Sequence, residues 1–166
     1  MKDIIRPVRN VAPAMGTTFN NMGCQHGTGL EIEAEWQVSR HLQLIGNYSH
    51  QRSVDETTGR DPGFTPRNQA YLRASWAIAY GWQLNPQLTW VAYRARTAGD
   101  PRPPVADHKT FDLTLPTARP AGRWEFAASV RNLFNADVRE PSAPGTIPND
   151  LPMAPRAFYL QESIQM

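Results

Sequence analysis

The sequence has no run of apolar residues approaching the roughly 18 that a transmembrane helix needs. It has a single cysteine, Cys24, which excludes a disulfide framework and a cysteine metal cluster. Charged residues make up 19% of the chain and the net charge is +2, which is too small to indicate a nucleic-acid partner. These absences argue against a helical membrane protein, a disulfide-rich secreted domain and a basic nucleic-acid binder.

The N-terminus also lacks a secretory signal, because no charged segment is followed there by a long apolar one. Taken alone, this feature predicts a cytoplasmic protein. If the chain instead forms part of a membrane barrel, we expect the start of the gene product to be missing from this sequence.

Proline and glycine are frequent, at 15 and 11 of 166 residues, which predicts one domain of many short elements. The segment 122–135 is the clearest of these elements. Trp124, Phe126, Ala128 and Val130 fall on one face of an extended strand, and mostly polar residues fall on the other. A period of two predicts a β-strand with one apolar and one polar face.

The same alternation predicts seven strands, preceded by the tail of an eighth at residues 2–6. Pro86 lies inside the fourth strand and indicates a bulge, since an interior strand tolerates proline badly. The seven predicted strands are 19–37, 42–53, 68–77, 82–94, 108–115, 122–135 and 155–166.

The predicted connections alternate between long and short. The long ones are 7–18, 54–67, 95–107 and 136–154, and the short ones are 38–41, 78–81 and 116–122. Outer-membrane barrels have short turns at one end and long loops at the other, because every strand crosses the bilayer. The predicted fold class is therefore all-β, an antiparallel up-and-down transmembrane β-barrel segment of about seven strands plus an N-terminal partial strand.

Tryptophan is placed in agreement with this fold. Trp36, Trp76, Trp82 and Trp124 each lie near a short turn, on the apolar face of their strand, and only Trp90 lies elsewhere. Indole rings favour the membrane interface, so the four predict one aromatic girdle. The alternative is that they close one end of a soluble core.

The polar faces fit a hydrated lumen or the solvent face of a soluble or secreted β-sandwich binding module, which is the second hypothesis. Burial separates the two, because the faces carrying Leu30 with Trp36 and Trp124 with Phe126 are buried in a sandwich and lipid-exposed in a barrel. The polar residues concerned are Glu31, Glu33, Glu35, Gln83, Gln87, Asp112, Glu125 and Arg131.

Five short segments, in order and at the right spacing, resemble the barrel of TonB-dependent outer-membrane receptors. The segment 130–135, Val-Arg-Asn-Leu-Phe-Asn, is similar to a motif near the C-terminus of these receptors. The other four are 21–23 followed by 29–34, 66–68, 111–115 and 156–160.

The resemblance implies a 22-stranded barrel, a separate plug domain and a segment that contacts TonB. It implies uptake of a ferric siderophore, haem, cobalamin or another scarce nutrient across the outer membrane, with no enzymatic activity. Residues 1–166 would be the C-terminal portion of the barrel, without the plug. TonB would act only through the missing N-terminal part, and outer-membrane lipid and lipopolysaccharide would be partners.

Two departures from the family pattern lie in the final strand. The chain ends in Met166 where the family usually has an aromatic residue, and Glu162 falls in phase with Phe158 and Leu160 on the lipid side. These departures suggest a truncated or decaying receptor gene product. Seven or eight strands also leave open edges, which must close, pair with another chain or aggregate.

No catalytic, cofactor-binding or metal-binding residue is predicted, and the loops identify no ligand-binding residue. The histidines, His26, His41, His50 and His108, are dispersed without metal-ligand spacing. Cys24 is expected to face lipid or to pack as a small apolar residue rather than to act as a reactive thiol.

Four further patterns have a simple interpretation beside a functional one. The carboxylates of residues 31–35 line a wet surface or take part in acid–base chemistry. The Pro-Arg-Pro-Pro stretch 101–104 is a stiff loop or a polyproline recognition segment, and 47–49 matches a glycosylation acceptor within a strand. Four arginines have two interpretations, as a site for anionic ligands or lipopolysaccharide and as solvated loop charges. They are Arg94, Arg96, Arg102 and Arg123.

Overall fold

A computed structural model describes residues 5–9, 16–21, 23–79, 81–117, 124–145 and 147–164. Within these residues all regular elements are strands, and no helix has the length and apolar character needed to cross a bilayer. The strands are β1 Ile5–Arg9, β2 Thr17–Asn21, β3 Gln25–Ser39, β4 Leu42–Asp55, β5 Pro66–Ala79, β6 Trp82–Arg94, β7 His108–Pro116, β8 Trp124–Arg131, β9 Arg139–Glu140, β10 Leu151–Pro152 and β11 Ala157–Ile164.

The main structure is one antiparallel sheet of seven strands in the order β11-β8-β7-β6-β5-β4-β3. Strands β3 to β8 follow one another up and down, and β11 adds beside β8 after a loop. The short pairs β1–β2 and β9–β10 form separate two-stranded sheets. The predicted up-and-down architecture and the number of main strands are confirmed.

The predicted strand 19–37 and loop 7–18 are wrong in their bounds. The extended conformation is interrupted at Gly23, which has a φ of 85°. Glycine adopts this conformation readily but other residues do so at a cost, so β2 and β3 are separate strands. β1 covers residues 5–9 and pairs with β2, from Ile5 opposite Asn21 to Arg9 opposite Thr17. The predicted partial strand therefore exists, although residues 2–4 lie outside the described part of the chain.

The predicted strand 122–135 is shorter than expected, because β8 ends at Arg131. Asn132 has a left-handed φ of 50°, and its amide N–H donates to Asp112 Oδ1 at 2.8 Å. An asparagine tolerates this conformation better than most residues, so it ends the strand. Residues 122–123 and Met166 lie outside the described residues, and the predicted loop 136–154 contains the small β9–β10 pair.

Pro86 does not produce the predicted bulge. The register between β5 and β6 is the same on both sides of it, with Trp76 opposite Leu84 and Leu72 opposite Leu88. The irregularity of this ladder lies instead between Ala77 and Ala79, next to the turn. The sheet therefore accommodates the proline without changing which side chains share a face.

In the described part of the chain, the sheet is a single layer without an internal hydrophobic core. Among the described residues, the buried hydrophobic side chains are Ala92 and Val105. The faces that a sandwich would bury are open, with Leu30 55%, Trp36 64% and Trp124 46% exposed. The soluble β-sandwich hypothesis is therefore wrong for this fold.

The loop between β4 and β5 packs against the loop after β6 through Gly63. This residue is buried with φ 87°, and a Cβ there would lie 2.6 Å from the backbone nitrogen of Thr97. The next residue, Phe64, donates its amide N–H to the carbonyl of Ala95 at 3.0 Å. Only a residue without a Cβ allows the two loops to approach this closely.

We predict that Gly63→Ala lowers the free energy of unfolding by about 3 kcal/mol, whereas Gly59→Ala lowers it by about 1 kcal/mol. Gly59 lies in the same loop at φ 65°, but a Cβ added there would meet no atom within 4 Å, so it isolates the backbone cost. Urea unfolding followed by tryptophan fluorescence measures both. Equal losses would show that the close approach at Gly63 contributes nothing.

Candidate functional site

The register places apolar side chains of all seven strands on one face, here named the apolar face. One row across it runs through Ala34, Gly46, Leu72, Leu88 and Phe111, from β3 to β7. Large apolar side chains exposed on this face are Leu30, Ile32, Trp36, Leu72, Trp76, Trp82, Leu88, Trp124, Phe126, Phe158, Leu160 and Ile164. An exposed apolar surface of this extent indicates contact with lipid or with a large partner.

The four tryptophans predicted to form a girdle lie together at the short-turn end of the apolar face, and are named the lower belt. Their exposed fractions are 64% for Trp36, 49% for Trp76, 36% for Trp82 and 46% for Trp124. Trp124 and Phe126 stack with their ring centroids 6.5 Å apart. The alternative, in which the indoles close a soluble core, does not fit these exposures.

A second group of aromatic residues, the upper belt, lies at the long-loop end and was not predicted. It contains Trp90, Tyr93, which is 63% exposed, and Phe134, which is 76% exposed. Phe134 packs beside Phe111 with the ring centroids 5.7 Å apart. Trp82 and Trp90 are eight residues apart on β6, or about 27 Å along the strand. On a strand inclined by about 40°, this length spans a height of about 21 Å, comparable to the apolar band of about 25 Å in membrane barrels.

The sequence signal for the upper belt was incomplete. Trp90 alone lies in the regular alternation of a strand. Tyr93 has a left-handed φ of 57°, so its placement does not follow the period of two. Phe134 is in phase with Trp124 and Phe126, but it lies beyond the end of β8 at Arg131, where the regular strand no longer fixes its direction. Their placement depends on local backbone geometry that the periodicity does not encode.

The opposite face of the sheet is polar, as predicted. One row across it contains Glu35, Ile45, Arg73, Gln87 and Asp112. Its side chains bond to one another, with Gln43 Nε2 donating to Glu35 Oε1 at 2.6 Å, Arg131 Nη1 to Asp112 Oδ2 at 2.9 Å and Ser163 Oγ to Glu125 Oε2 at 3.2 Å.

Some buried polar atoms on this face have no hydrogen-bond partner within the described residues. Asn85 is 7% exposed, and its Oδ1 has no hydrogen-bond partner among the described residues, as is also true of Arg73 Nε. Buried polar atoms normally bond to protein or to water. The face therefore suits a water-filled space or a polar occupant, and Glu31, Glu33 and Glu35 are exposed on it.

At the long-loop end, the loop 95–107 and the loop 132–156 are joined by ionic contacts, here named the loop clamp. Arg96 Nη1 donates to Asp150 Oδ1 at 2.8 Å, and its Nη2 bonds the second carboxylate oxygen. The two side chains are only 9% and 8% exposed. This bidentate pair joins residues 54 apart in the sequence.

Arg102 adds a second set of contacts to the loop clamp. Its Nη2 lies 2.7 Å from Asp100 Oδ2 and donates to the Ser142 carbonyl at 2.8 Å, while its Nη1 donates to the Ile147 carbonyl at 3.0 Å. The stretch 101–104 is thus held against the other loop, which supports the interpretation of a stiff loop.

Arg94 is buried below the loop clamp, with 2% of its surface exposed. Its Nη1 lies 2.8 Å from Glu140 Oε2, and its Nη2 donates to the Arg139 carbonyl at 2.7 Å. The predictions for Arg94, Arg96 and Arg102 are therefore corrected. They are neither solvated loop charges nor free to bind anions, because carboxylates and carbonyls of their own chain occupy them. Arg123 lies outside the described residues.

The ion pairs change the acidity of the clamp. The hydrogen bond from Arg102 lowers the pKa of Asp100 from 3.8 to about 2, and the bond from Arg96 lowers the pKa of Asp150 further. Because the pKa of the Asp100 carboxyl is lower in the folded chain, its ionised form stabilises the fold above pH 3.8, and this stabilisation is lost as the pH falls towards 2. The clamp therefore stays ionised at neutral and mildly acidic pH.

The other predicted candidates lie apart from one another. His50 Nδ1 lies 2.7 Å from Asn68 Oδ1, which also accepts from the Tyr48 hydroxyl, and His108 Nδ1 lies 3.0 Å from Arg94 Nη2. Within the described ranges, no three His, Cys, Asp or Glu side chains are grouped to hold a metal ion.

Cys24 is half-buried between Gly23 and the start of β3, and its carbonyl accepts the Glu56 amide N–H at 2.9 Å. His26 and His41 are exposed. The glycosylation-like residues 47–49 lie within β4, as predicted.

Comparison with known proteins agrees with this geometry. Residues 1–133 match the family profile described as TonB dependent receptor-like, beta-barrel. The ferrioxamine receptor of Yersinia enterocolitica is 29% identical over 80 residues, which cover 45% of this chain and 11% of that protein.

Solved structures share the fold at low sequence identity. A mutant of the ferric enterobactin receptor PfeA from Pseudomonas aeruginosa has a TM-score of 0.77 at 19% identity, covering 98% of this chain and 27% of that one. The copper transporter OprC has a TM-score of 0.75 at 17% identity, with the same coverage. The closed form of the ferric-catecholate import receptor Fiu from E. coli has a TM-score of 0.73 at 18% identity, covering 98% and 23%. The chain thus spans only a small part of each similar protein.

We predict unequal effects on stability for arginine on the two faces of β6. Leu88→Arg places a charge on the apolar face and should lower the free energy of unfolding in a bilayer or micelle by about 2 kcal/mol. Thr89→Arg, the next residue, points to the polar face and should change it by less than about 0.5 kcal/mol. Urea unfolding in detergent micelles measures both. A neutral or stabilising Leu88→Arg would contradict a lipid-facing role for the apolar face.

We predict that Asp150→Asn loosens the loop clamp, because Arg96 keeps its charge but loses the opposite one. Amide hydrogen exchange in residues 95–107 and 140–152 should rise on the order of tenfold at pH 7. In the parent chain a similar rise should begin only as the pH falls from 3.8 towards 2. Asp137→Asn is the control, since Asp137 is 74% exposed and pairs with Arg139 at the surface. An equal rise in both variants would contradict the clamp.

Proposed function

The chain belongs to the TonB-dependent receptor β-barrel family, and from this premise we propose that residues 1–166 form the C-terminal portion of such a receptor's barrel, with the plug domain outside them. The proposal rests on the observation that one sheet has an apolar face and a polar face. An apolar face bounded by two aromatic belts suits lipid, and a polar face suits a hydrated lumen.

The direction of the strands supports a role as part of a larger barrel. Seven antiparallel strands leave β3 and β11 running the same way at the two edges of the sheet. A barrel in which all neighbours are antiparallel therefore needs an odd number of further strands between these edges. The 22-stranded barrels of outer-membrane transporters meet this condition, with 15 further strands.

The cargo we propose is a ferric siderophore or a similar scarce nutrient. The relatives named for ferrioxamine, enterobactin and catecholate support this choice, although the copper transporter OprC shares the fold. This chain would contribute the lumen wall and a rigid part of the loop rim. Energy from the TonB system would enter through the N-terminal part of the receptor, and no catalytic step is assigned to these residues.

We place the protein in the outer membrane, with lipid and lipopolysaccharide against the apolar face. The chain is expected to follow the receptor's other strands into the membrane, since its open edges would leave unpaired backbone groups in lipid.

Detergent dependence tests the proposal. The full chain should gain β circular dichroism and heat-modifiable gel migration in micelles, and should aggregate without them, because the apolar face has no cover of its own. A parallel sample with Trp36 and Trp76 both changed to Gln should fold less well in micelles. A cooperative, monomeric β fold in plain buffer would overturn the membrane role.

A further inference from the structure

A groove runs along the apolar face between β7 and β11. Its sides are Leu113 and Leu115 on β7 and Phe158 and Leu160 on β11, and its floor is the small side chain of Ala128 on β8 with Val130 beside it. The space measures about 590 Å³. A groove forms here because, at this level of the sheet, the outward side chain Ala128 of β8 is smaller than its neighbours on β7 and β11.

Two cations lie at the long-loop end of this groove. Lys109 is exposed on β7, in phase with Phe111 and opposite Trp90 of the upper belt. Arg156 is exposed just before β11, and its guanidinium carbon lies 6.0 Å from the centroid of the Phe158 ring, which places it on the apolar face.

Neither cation forms an ion pair within the described part of the chain. Arg156 Nη1 donates to the Leu133 carbonyl at 3.3 Å. The nearest carboxylate along the chain from Lys109, that of Asp107, accepts the Tyr93 amide N–H at 2.8 Å. These contacts leave N–H groups on both cations for an external anion.

We propose that this groove, together with Lys109 and Arg156, binds a lipid whose headgroup carries phosphate. The acyl chain would lie along Leu113, Leu115 and Leu160, and the phosphate would contact the two cations. This site rests on the proposed function, because only a membrane-inserted wall presents the groove to lipid.

Depth and charge both favour this occupant. Lys109 is level with Trp90, and aromatic belts mark the layer of the headgroups. Unpaired cations at that level attract lipid phosphate, and phosphate bonds strongly to ionised donors. A protein partner would need polar partners for its own backbone along the groove, whereas the lining side chains are almost entirely apolar.

Lys109→Gln combined with Arg156→Gln tests the polar half of the site. The probes are phosphatidic acid and diacylglycerol with the same acyl chains, added to the full chain in neutral detergent and counted as retained lipid by native mass spectrometry. The parent chain should prefer phosphatidic acid, and the double variant should lose that preference by roughly 25-fold, about fivefold for each cation. Arg52→Gln, an exposed outward cation on β4 far from the groove, should retain it.

Ala128→Leu tests the apolar half, because the larger side chain fills the floor while both cations stay in place. Retention of both lipids should fall. Unchanged retention in this variant, or an unchanged preference in the double variant, would overturn the lipid site while folding in micelles still supports the barrel. A chain that does not fold in micelles would overturn both.

Discussion

The structure depends on the pairing of backbone N–H and C=O groups between neighbouring strands. In the described part of the chain, this pairing joins every neighbouring pair of strands in the seven-stranded sheet. It fixes the direction of every side chain, so an alternating sequence becomes two faces of opposite chemistry. Among the described residues, the buried hydrophobic side chains are Ala92 and Val105, which are too few to hold such a sheet, and in the proposed function lipid takes the place of a core.

The loops are held together differently, because their backbone groups are not paired in the strand ladder. Ion pairs between side chains connect them instead, with Arg96 bound to Asp150 and Arg94 to Glu140. Gly63 brings a third loop against the same segment by lacking a side chain. Three connections that could move separately are thereby joined into one rim, so the surface they present at the mouth is largely preformed.

Much of the wall could be predicted from the sequence, because a period of two follows directly from strand geometry. The seven strands, the four lower tryptophans and the position of Glu162 on the apolar face, opposite Phe126, all follow from it. The failures occur where the backbone leaves the regular extended form, at Gly23 and Asn132.

The rim could not be predicted for a different reason. The contact between Arg96 and Asp150 joins residues 54 positions apart, and nothing in either local sequence marks the other as its partner. An arginine in a polar loop has the same sequence context whether it is solvated or buried. Only the folded path of both loops decides between the two.

The positions of the lower-belt tryptophans also give the inclination of the strands in the bilayer. Following the register from Trp36 across five strand spacings leads to Val130 on β8, yet Trp124 lies six residues nearer the short turns. At about 3.4 Å per residue and about 4.8 Å per strand, this drift corresponds to an inclination of about 40°, within the range of membrane barrels. Extended by one strand, the same line passes just beyond Ile164. Glu162 then lies about 8 Å inside the headgroup layer, short of the midplane at about 12 Å, so its carboxylate costs less there than it would at the midplane.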